Sequence, residues 1–112
     1  AENQVLAHPA TLGSVPTNAN NQDVVPMGTV GVRRTRRVIE NVRRIVAIEL
    51  LAAAEAVELV GTGDLAAGTR DVWRAVRDEA APVDRDRPLG RDVERIVAAI
   101  AAGRFAPAPP SL

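Results

Sequence analysis

Four carboxamide side chains lie close together near the start of the chain, at Asn18, Asn20, Asn21 and Gln22. Each amide offers N–H donors and a carbonyl acceptor without a net charge, which suits it to holding a zwitterionic molecule or ordering a tight loop. Asp23 follows them and precedes an apolar, periodic segment, where a helix N-cap belongs. The run therefore predicts a loop that binds a ligand or orders itself, leading into a helix capped by Asp23.

Positioning this run requires a scaffold, and the surrounding pattern is helical. The run has few apolar anchors, so it needs neighbouring elements to keep one shape. Apolar residues elsewhere recur at three- and four-residue spacings, and neither strands nor repeats are indicated. We predict an all-α chain with the end of a helix and the site loop over 1–23, one long helix over 24–61, two shorter helices over 62–105, and a flexible Pro/Ala tail over 106–112.

The segment from about Val24 to Val60 carries a wide apolar stripe. Between Ile48 and Ala54 it is apolar almost all round, as in a helix buried on several sides, and Glu49 is expected to pair with an arginine of a neighbouring helix. A helix of roughly 35 residues is about 50 Å long, too long for a chain of 112 residues to cover. We therefore expect it to pack against other chains or other parts of a longer protein.

Composition limits the class of protein. The chain of 112 residues is one domain at most, and large core side chains are scarce, with one Phe, one Trp and no Tyr. Fourteen basic and fourteen acidic residues cancel, which argues against a polyelectrolyte partner. Without cysteine there are neither disulfides nor thiolate metal sites. No apolar run reaches the roughly 20 residues that span a bilayer, and no targeting segment is visible, so we expect a cytoplasmic protein without membrane contact.

A basic block in the first half of the long helix could bind nucleic acid, but few aromatic residues accompany it for base stacking. We therefore predict no nucleic-acid partner and assign the block to ion pairs within and between subunits, with Glu40 and Arg44 as an i,i+4 pair. His8 has no companion ligands, so no metal site is predicted. The block consists of Arg33, Arg34, Arg36, Arg37, Arg43 and Arg44.

Residues 17–28, TNANNQDVVPMG, together with IENVRRIVAIELL at 39–51, resemble the C-terminal part of a known enzyme family. This is the methylidene-imidazolone-dependent family of ammonia-lyases and 2,3-aminomutases that act on histidine, phenylalanine and tyrosine. The stretch DRPLGRDVE at 86–94 fits as well, so the resemblance covers residues 1 to about 100. It implies the helical part of an elongated bundle enzyme, with the long helix in the central bundle of a homotetramer.

The resemblance also implies roles for individual residues. Asn18 and Gln22 match positions near the substrate's amino and carboxylate groups, whereas Asp23 is a structural cap rather than a catalytic acid. Histidine-specific members resemble NQEDHVSMG, with glutamate at the Gln22 position and histidine at the Val24 position. The residues present here resemble the tyrosine-type lyases and aminomutases. Pro26 departs from the family, where serine is usual.

The same resemblance implies that this segment alone is inactive. The family's electrophile, 4-methylidene-imidazol-5-one, forms from an internal Ala-Ser-Gly, and this sequence has none. The family's basic tyrosine lies on a loop near the N-terminus, and the chain has no tyrosine. We therefore expect no catalytic residue in this segment, and partners in the remainder of the enzyme polypeptide or a partner chain.

The sequence thus predicts part of an aromatic amino acid ammonia-lyase or 2,3-aminomutase, most closely of the tyrosine type, with a small aromatic amino acid as substrate. The rival interpretation is a small helical module that binds a partner protein and catalyses nothing. It requires no missing sequence. The choice between lyase and aminomutase stays open.

Overall fold

The computed structural model describes residues 1–19, 21 and 25–106. Four α-helices follow one another, and no strand occurs within these residues. A 3-10 helix, Ala10–Gly13, follows the first of them. The predicted all-α class, with one long helix and two shorter ones after it, is confirmed. The helices are α1 Glu2–Leu6, α2 Gly28–Val60, α3 Ala67–Glu79 and α4 Gly90–Ala101.

The chain divides into two compact units, Ala1–Val42 and Arg43–Leu112, and α2 contributes to both. In the first unit, polar contacts attach α1 and the turn after it to α2. The guanidinium of Arg34 donates to the His8 carbonyl at 2.6 Å. Arg37 pairs with Glu2 at 2.8 Å, and the Asn41 amide donates to the Asn3 side chain at 2.9 Å. Positions 34, 37 and 41 are three and four residues apart, so they share one face of α2.

The long helix begins later than predicted, at Gly28 instead of about Val24. Proline disfavours helical backbone in the residue before it, which here is Val25. The Val25 N–H and carbonyl are also bonded to Ser14 rather than to a helical turn. Asp23 lies outside the described residues, and Met27 is the residue that precedes the first helical one. The capping role of Asp23 therefore stays a prediction.

The second unit contains the hydrophobic core. Buried residues of α2 form one cluster there with residues of α3 and α4. Val76 of α3 and Ile96 of α4 are the largest side chains that are fully buried. Trp73 of α3 packs against this core from a half-buried position. The buried core residues are Ala47, Leu51, Ala54, Val76, Ala80 and Ile96.

Glycines end two of the helices. Gly61 has a φ of 117° and its N–H donates to the Val57 carbonyl at 2.9 Å. Gly103 has a φ of 79°, and after it the Arg104 N–H donates to the Ala99 carbonyl at 3.1 Å. Only glycine adopts such left-handed backbone without a steric penalty, so α2 and α4 end where these residues stand.

An ionic cluster links the C-terminal half of α2 to α3. The Arg77 guanidinium donates to both oxygens of Glu58, at 2.7 and 2.9 Å, and pairs with Glu55 at 2.9 Å. The Trp73 indole N–H donates to the same Glu58 carboxylate at 3.1 Å. Glu55 also accepts from the Val83 N–H at 3.1 Å. Hydrogen bonding by Arg77 is the main reason that the pKa of Glu58 lies below its ordinary value.

A second cluster surrounds Asp92, in the first turn of α4. Its carboxylate is buried and accepts from both Arg87 and Arg95. Arg87 donates in addition to the Ala81 carbonyl at 3.0 Å, so it connects the segment before α4 to the helix itself. Burial of Asp92 acts to raise the pKa of its carboxyl group, but the two guanidinium groups outweigh burial and the net pKa is lowered.

We expect the contribution of Asp92 to disappear in acid. Its folded-state pKa lies below the ordinary value of 3.8, so its stabilisation is present above about pH 4 and is lost as the pH falls through the folded pKa. The Asp92→Asn variant should be about 2 kcal/mol less stable at neutral pH. Thermal melts of the full-length protein, with and without the substitution, between about pH 3 and pH 7 measure this. The gap between them should close toward the acid end, and a pH-independent gap would contradict this assignment.

Several large aliphatic side chains of the α2 stripe are exposed in the described part of the chain. Ile45 and Ile48 are 57% and 56% exposed, and Leu59 is 88% exposed. A soluble protein rarely leaves so many large aliphatic side chains on one helix in water. We therefore expect another polypeptide segment to cover this surface of the helix.

We accordingly expect the isolated chain to be loosely folded or self-associated. Its core has few large side chains, and the exposed stripe favours association. Circular dichroism melts combined with sedimentation of the 112-residue chain test this. A cooperative, concentration-independent melt of a monomer would refute it.

Candidate functional site

The candidate site is the amide loop, defined as residues 15–24, between the 3-10 helix and α2. Among its described residues, Asn18 is exposed and has a left-handed backbone with φ of 53°, and Ala19 follows with φ of 52°. The Asn18 carbonyl accepts from the Asn21 N–H at 3.0 Å, which closes a tight turn. Asparagine tolerates this conformation, but alanine adopts it at a cost of about 1–2 kcal/mol. Strained backbone of this kind often lies at functional loops.

The structure locates only part of the predicted site. Asn18 lies at the turn, with its side chain exposed. Gln22 and Asp23 fall outside the described residues, so their proximity to Asn18 remains a prediction. The exposed amide of Asn18 can both donate and accept, as a group that orients a zwitterion must.

The ion pairs of the basic block differ from the predicted pair. Glu40 does not pair with Arg44, because it pairs with Arg36 one turn earlier, at 3.3 Å. Arg44 reaches Glu94 of α4 instead, at 3.2 Å. Internal ion pairs were predicted for this block, but the particular pair was wrong because a carboxylate on another helix lies within reach of Arg44. Within the described residues, Arg33 and Arg43 have no ionic partner.

Glu49 is also placed differently from the expectation. It is exposed, and the predicted ion pair with a neighbouring helix is not formed among the described residues. His8 is exposed and contributes its backbone carbonyl, which accepts from Arg34.

Sequence reasoning missed the two ionic clusters around Arg77 and Asp92. A signal for the first was present, because Trp73 and Arg77 are four residues apart and therefore share a face of α3. The carboxylate partners lie 19 and 22 residues away on another helix, at Glu58 and Glu55, and no local pattern identifies them.

Another concave feature is a pocket of about 350 Å³ in the second unit. Its walls are mainly apolar, and the single charged residue among them, Glu55, is already paired with Arg77. Such a pocket suits an aliphatic side chain better than a zwitterionic amino acid. The lining comprises Ile48, Leu51, Ala52, Glu55, Val83, Leu89, Gly90 and Val93.

Comparison with known proteins decides the family. The family model described as aromatic amino acid lyase matches residues 1–78, which include the amide loop, all of α2 and most of α3. The chain belongs to the aromatic amino acid lyase family. The predicted resemblance is thereby confirmed, and the loop and long helix that carried it lie within the matched region.

Curated relatives of this lyase-family chain include proteins named histidine ammonia-lyase. The one from Symbiobacterium thermophilum is 48% identical over 105 residues, which are 94% of this chain and 21% of the relative. The one from Halalkalibacterium halodurans is 41% identical over 95 residues, 85% of this chain and 19% of the relative. The chain thus spans about a fifth of the length of the curated relatives it matches.

Solved structures of the family confirm the helical fold. A tyrosine aminomutase from Streptomyces globisporus superimposes with a TM-score of 0.81 at 41% identity, over 87% of this chain and 19% of that one. A histidine ammonia-lyase from Trypanosoma cruzi gives 0.85 at 31% identity, over 99% of this chain and 26% of that one. Within the described residues of the present chain, no helix is long and apolar enough to cross a bilayer.

Proposed function

We propose that the chain is part of an aromatic amino acid ammonia-lyase or 2,3-aminomutase of the tyrosine type. Its contribution is a loop that positions the substrate and a long helix in the oligomer bundle. The observation that carries the tyrosine assignment is the pair of residues Gln22 and Val24 in the amide loop. Histidine-specific members of the family have glutamate at the Gln22 position and histidine at the Val24 position.

The amide loop acts by orientation. Asn18 and Gln22 supply uncharged donors and acceptors that hold the amino acid so that its amine and its β-carbon face the reacting groups. Correct placement of reactants accounts for a large share of enzymatic rate enhancement, and fixed dipoles add to it without reorganising during the reaction. The exposed side chain of Asn18, on a turn held in left-handed backbone, supports this role.

The electrophile belongs to another part of the enzyme. The sequence contains no Ala-Ser-Gly from which a 4-methylidene-imidazol-5-one could form. The uncharged, exposed amide of Asn18 fits a place beside such a neutral ring, because it adds no charge that would compete with the substrate's amine. When present, the ring supplies the electrophilic centre that activates the amino group for elimination. The residues of this chain bind and orient the substrate, and Asn18 and Gln22 are those that would face the ring.

A second candidate is a histidine ammonia-lyase. The curated relatives with that name support it, with identity to this chain as high as 48%. The tyrosine aminomutase from Streptomyces globisporus, at 41% identity, supports the first candidate. Overall identity does not separate them, since specificity depends on the few residues that face the ring of the substrate.

The assembly we propose is a homotetramer located in the cytoplasm, in which the rest of the polypeptide and neighbouring subunits cover α2. The exposed Ile45, Ile48 and Leu59 support a covered role for this helix. Membership of the lyase family does not favour the rival interpretation, a small interaction module without catalysis.

Steady-state kinetics of the full-length enzyme test the substrate assignment. Ammonia release and β-amino acid formation are measured with L-tyrosine, L-phenylalanine and L-histidine as separate substrates. We expect kcat/KM to be highest for tyrosine. A preference for histidine would establish the second candidate. A lack of turnover with all three amino acids would refute the proposal that the chain is part of an active lyase or aminomutase.

A further inference from the structure

Ser14 joins the two ends of the amide loop. Its hydroxyl oxygen accepts from the Val25 N–H at 2.9 Å and the same hydroxyl donates to the Val25 carbonyl at 3.2 Å. Both residues are half-buried. The two bonds connect positions eleven residues apart, so a single side chain closes the loop at its base. We call this connection between Ser14 and Val25 the neck of the loop.

Each end of this connection is itself attached to regular structure. The Ser14 N–H donates to the Thr11 carbonyl at 3.1 Å, which fixes Ser14 to the 3-10 helix Ala10–Gly13. On the other side, Val25 is three residues before Gly28, the first residue of α2. The hydroxyl therefore connects the end of one helix to the start of the next across the loop.

Closing the neck restricts where Asn18 can be. A loop with fixed ends has fewer conformations than one with a free end, so less entropy is lost when its side chains are held in one geometry. The hydrogen bond between the Asn18 carbonyl and the Asn21 N–H restricts Asn18 further. Ser14 and Val25 themselves carry no side-chain amide, so they are not among the residues proposed to contact the substrate.

We propose that Ser14 is a positioning residue of the active site, acting through the closed neck of the amide loop. This inference rests on the proposed function, because it assigns Ser14 a role in the same site. Both bonds require a side-chain group that donates and accepts at once, which serine and threonine provide and alanine does not. Ser14→Thr should therefore preserve the neck, and Ser14→Ala should open it.

The test compares Ser14→Ala, Ser14→Thr and Thr11→Ala in the full-length enzyme. Thr11→Ala is the matched control, since it also removes a hydroxyl near the loop, and that hydroxyl has no hydrogen-bond partner within the described residues. Hydrogen exchange at the Val25 amide reports directly on the bond between the Val25 N–H and Ser14. Steady-state kinetics report on the function of the site. Thermal melts establish that each variant is folded.

In Ser14→Ala, exchange at Val25 should be roughly 5- to 10-fold faster, the effect of losing a net hydrogen bond. The value of kcat/KM should fall by about 10-fold or more, mostly through kcat, because a misplaced amide still binds substrate but orients it less well. Ser14→Thr and Thr11→Ala should stay close to the unsubstituted enzyme in both measurements.

Unchanged exchange at Val25 in Ser14→Ala would refute the claim that Ser14 closes the loop. Faster exchange with unchanged kinetics would refute the positioning role of Ser14. Failure of the proposed function is a separate result, because it requires that the unsubstituted enzyme turn over none of the three amino acids. In that event the exchange at Val25 still decides whether Ser14 closes the loop.

Discussion

Replacing Gln22 with alanine in the full-length enzyme is expected to lower kcat/KM for an aromatic amino acid by roughly 10- to 150-fold. The proposed contact joins a neutral amide to a charged group of the substrate, and loss of such a hydrogen bond costs about 1.5–3 kcal/mol. The melting temperature should change little, since none of the described loop residues belongs to the hydrophobic core. Steady-state kinetics and thermal melts measure the two effects.

Gln22→Glu is the companion variant, because it keeps the size of the side chain and adds a charge. It should also impair turnover of tyrosine, since a carboxylate close to the substrate's own carboxylate repels it and alters the charge balance of the site. Asn21→Ala, which removes a neighbouring amide of the same loop, serves as the control. Kinetics unaltered in both Gln22 variants would remove Gln22 from the site.

Replacing Arg77 with methionine is expected to destabilise the second unit by about 3 kcal/mol. The Arg77 side chain is 11% exposed, and its guanidinium pairs with two carboxylates, which would then face one another without a counter-ion. Methionine keeps much of the apolar stem, so the change acts mainly through charge. The pKa of Glu58, which Arg77 holds below its ordinary value, should rise in this variant.

Hydrogen exchange of α3 amides in the full-length enzyme measures this effect, with an expected acceleration of roughly 150-fold. Arg74→Met is the matched control, since Arg74 is an exposed arginine of the same helix and has no ion pair within the described part of the chain. Adding Glu58→Gln to Arg77→Met should recover part of the loss by removing repulsion. Equal exchange in the Arg77 and Arg74 variants would show that the cluster does not hold α3.

Much of the fold could be predicted because its signals are local. The apolar periodicity of α2 and the glycines at Gly61 and Gly103 act within a few residues, so the helices and two of their ends follow from the sequence. The start of α2 was placed too early because the apolar pattern continues through residues before Gly28. The Val25 backbone is bonded to Ser14, eleven residues earlier, and is therefore not part of the helix. The apolar periodicity does not indicate this bond.

The ion pairs were predicted less well because they depend on distances between helices. An i,i+4 rule suggests Glu40 with Arg44, yet Arg44 bonds Glu94, fifty positions away. The site itself could be predicted only through resemblance, since a run of amides alone is also what an ordinary ordered loop contains. The left-handed backbone of Asn18 and Ala19 is a conformational feature that residue types alone did not indicate.

The most direct test of the central claim is a crystal structure of the full-length enzyme with a non-reactive tyrosine analogue bound. We expect the side-chain amides of Asn18 and Gln22 to lie at hydrogen-bond distance, about 2.7–3.2 Å, from the amino or carboxylate group of the analogue or from the ring electrophile. The hydroxyl of Ser14 should still bond Val25. An analogue bound elsewhere, with both amides turned into solvent, would contradict the account.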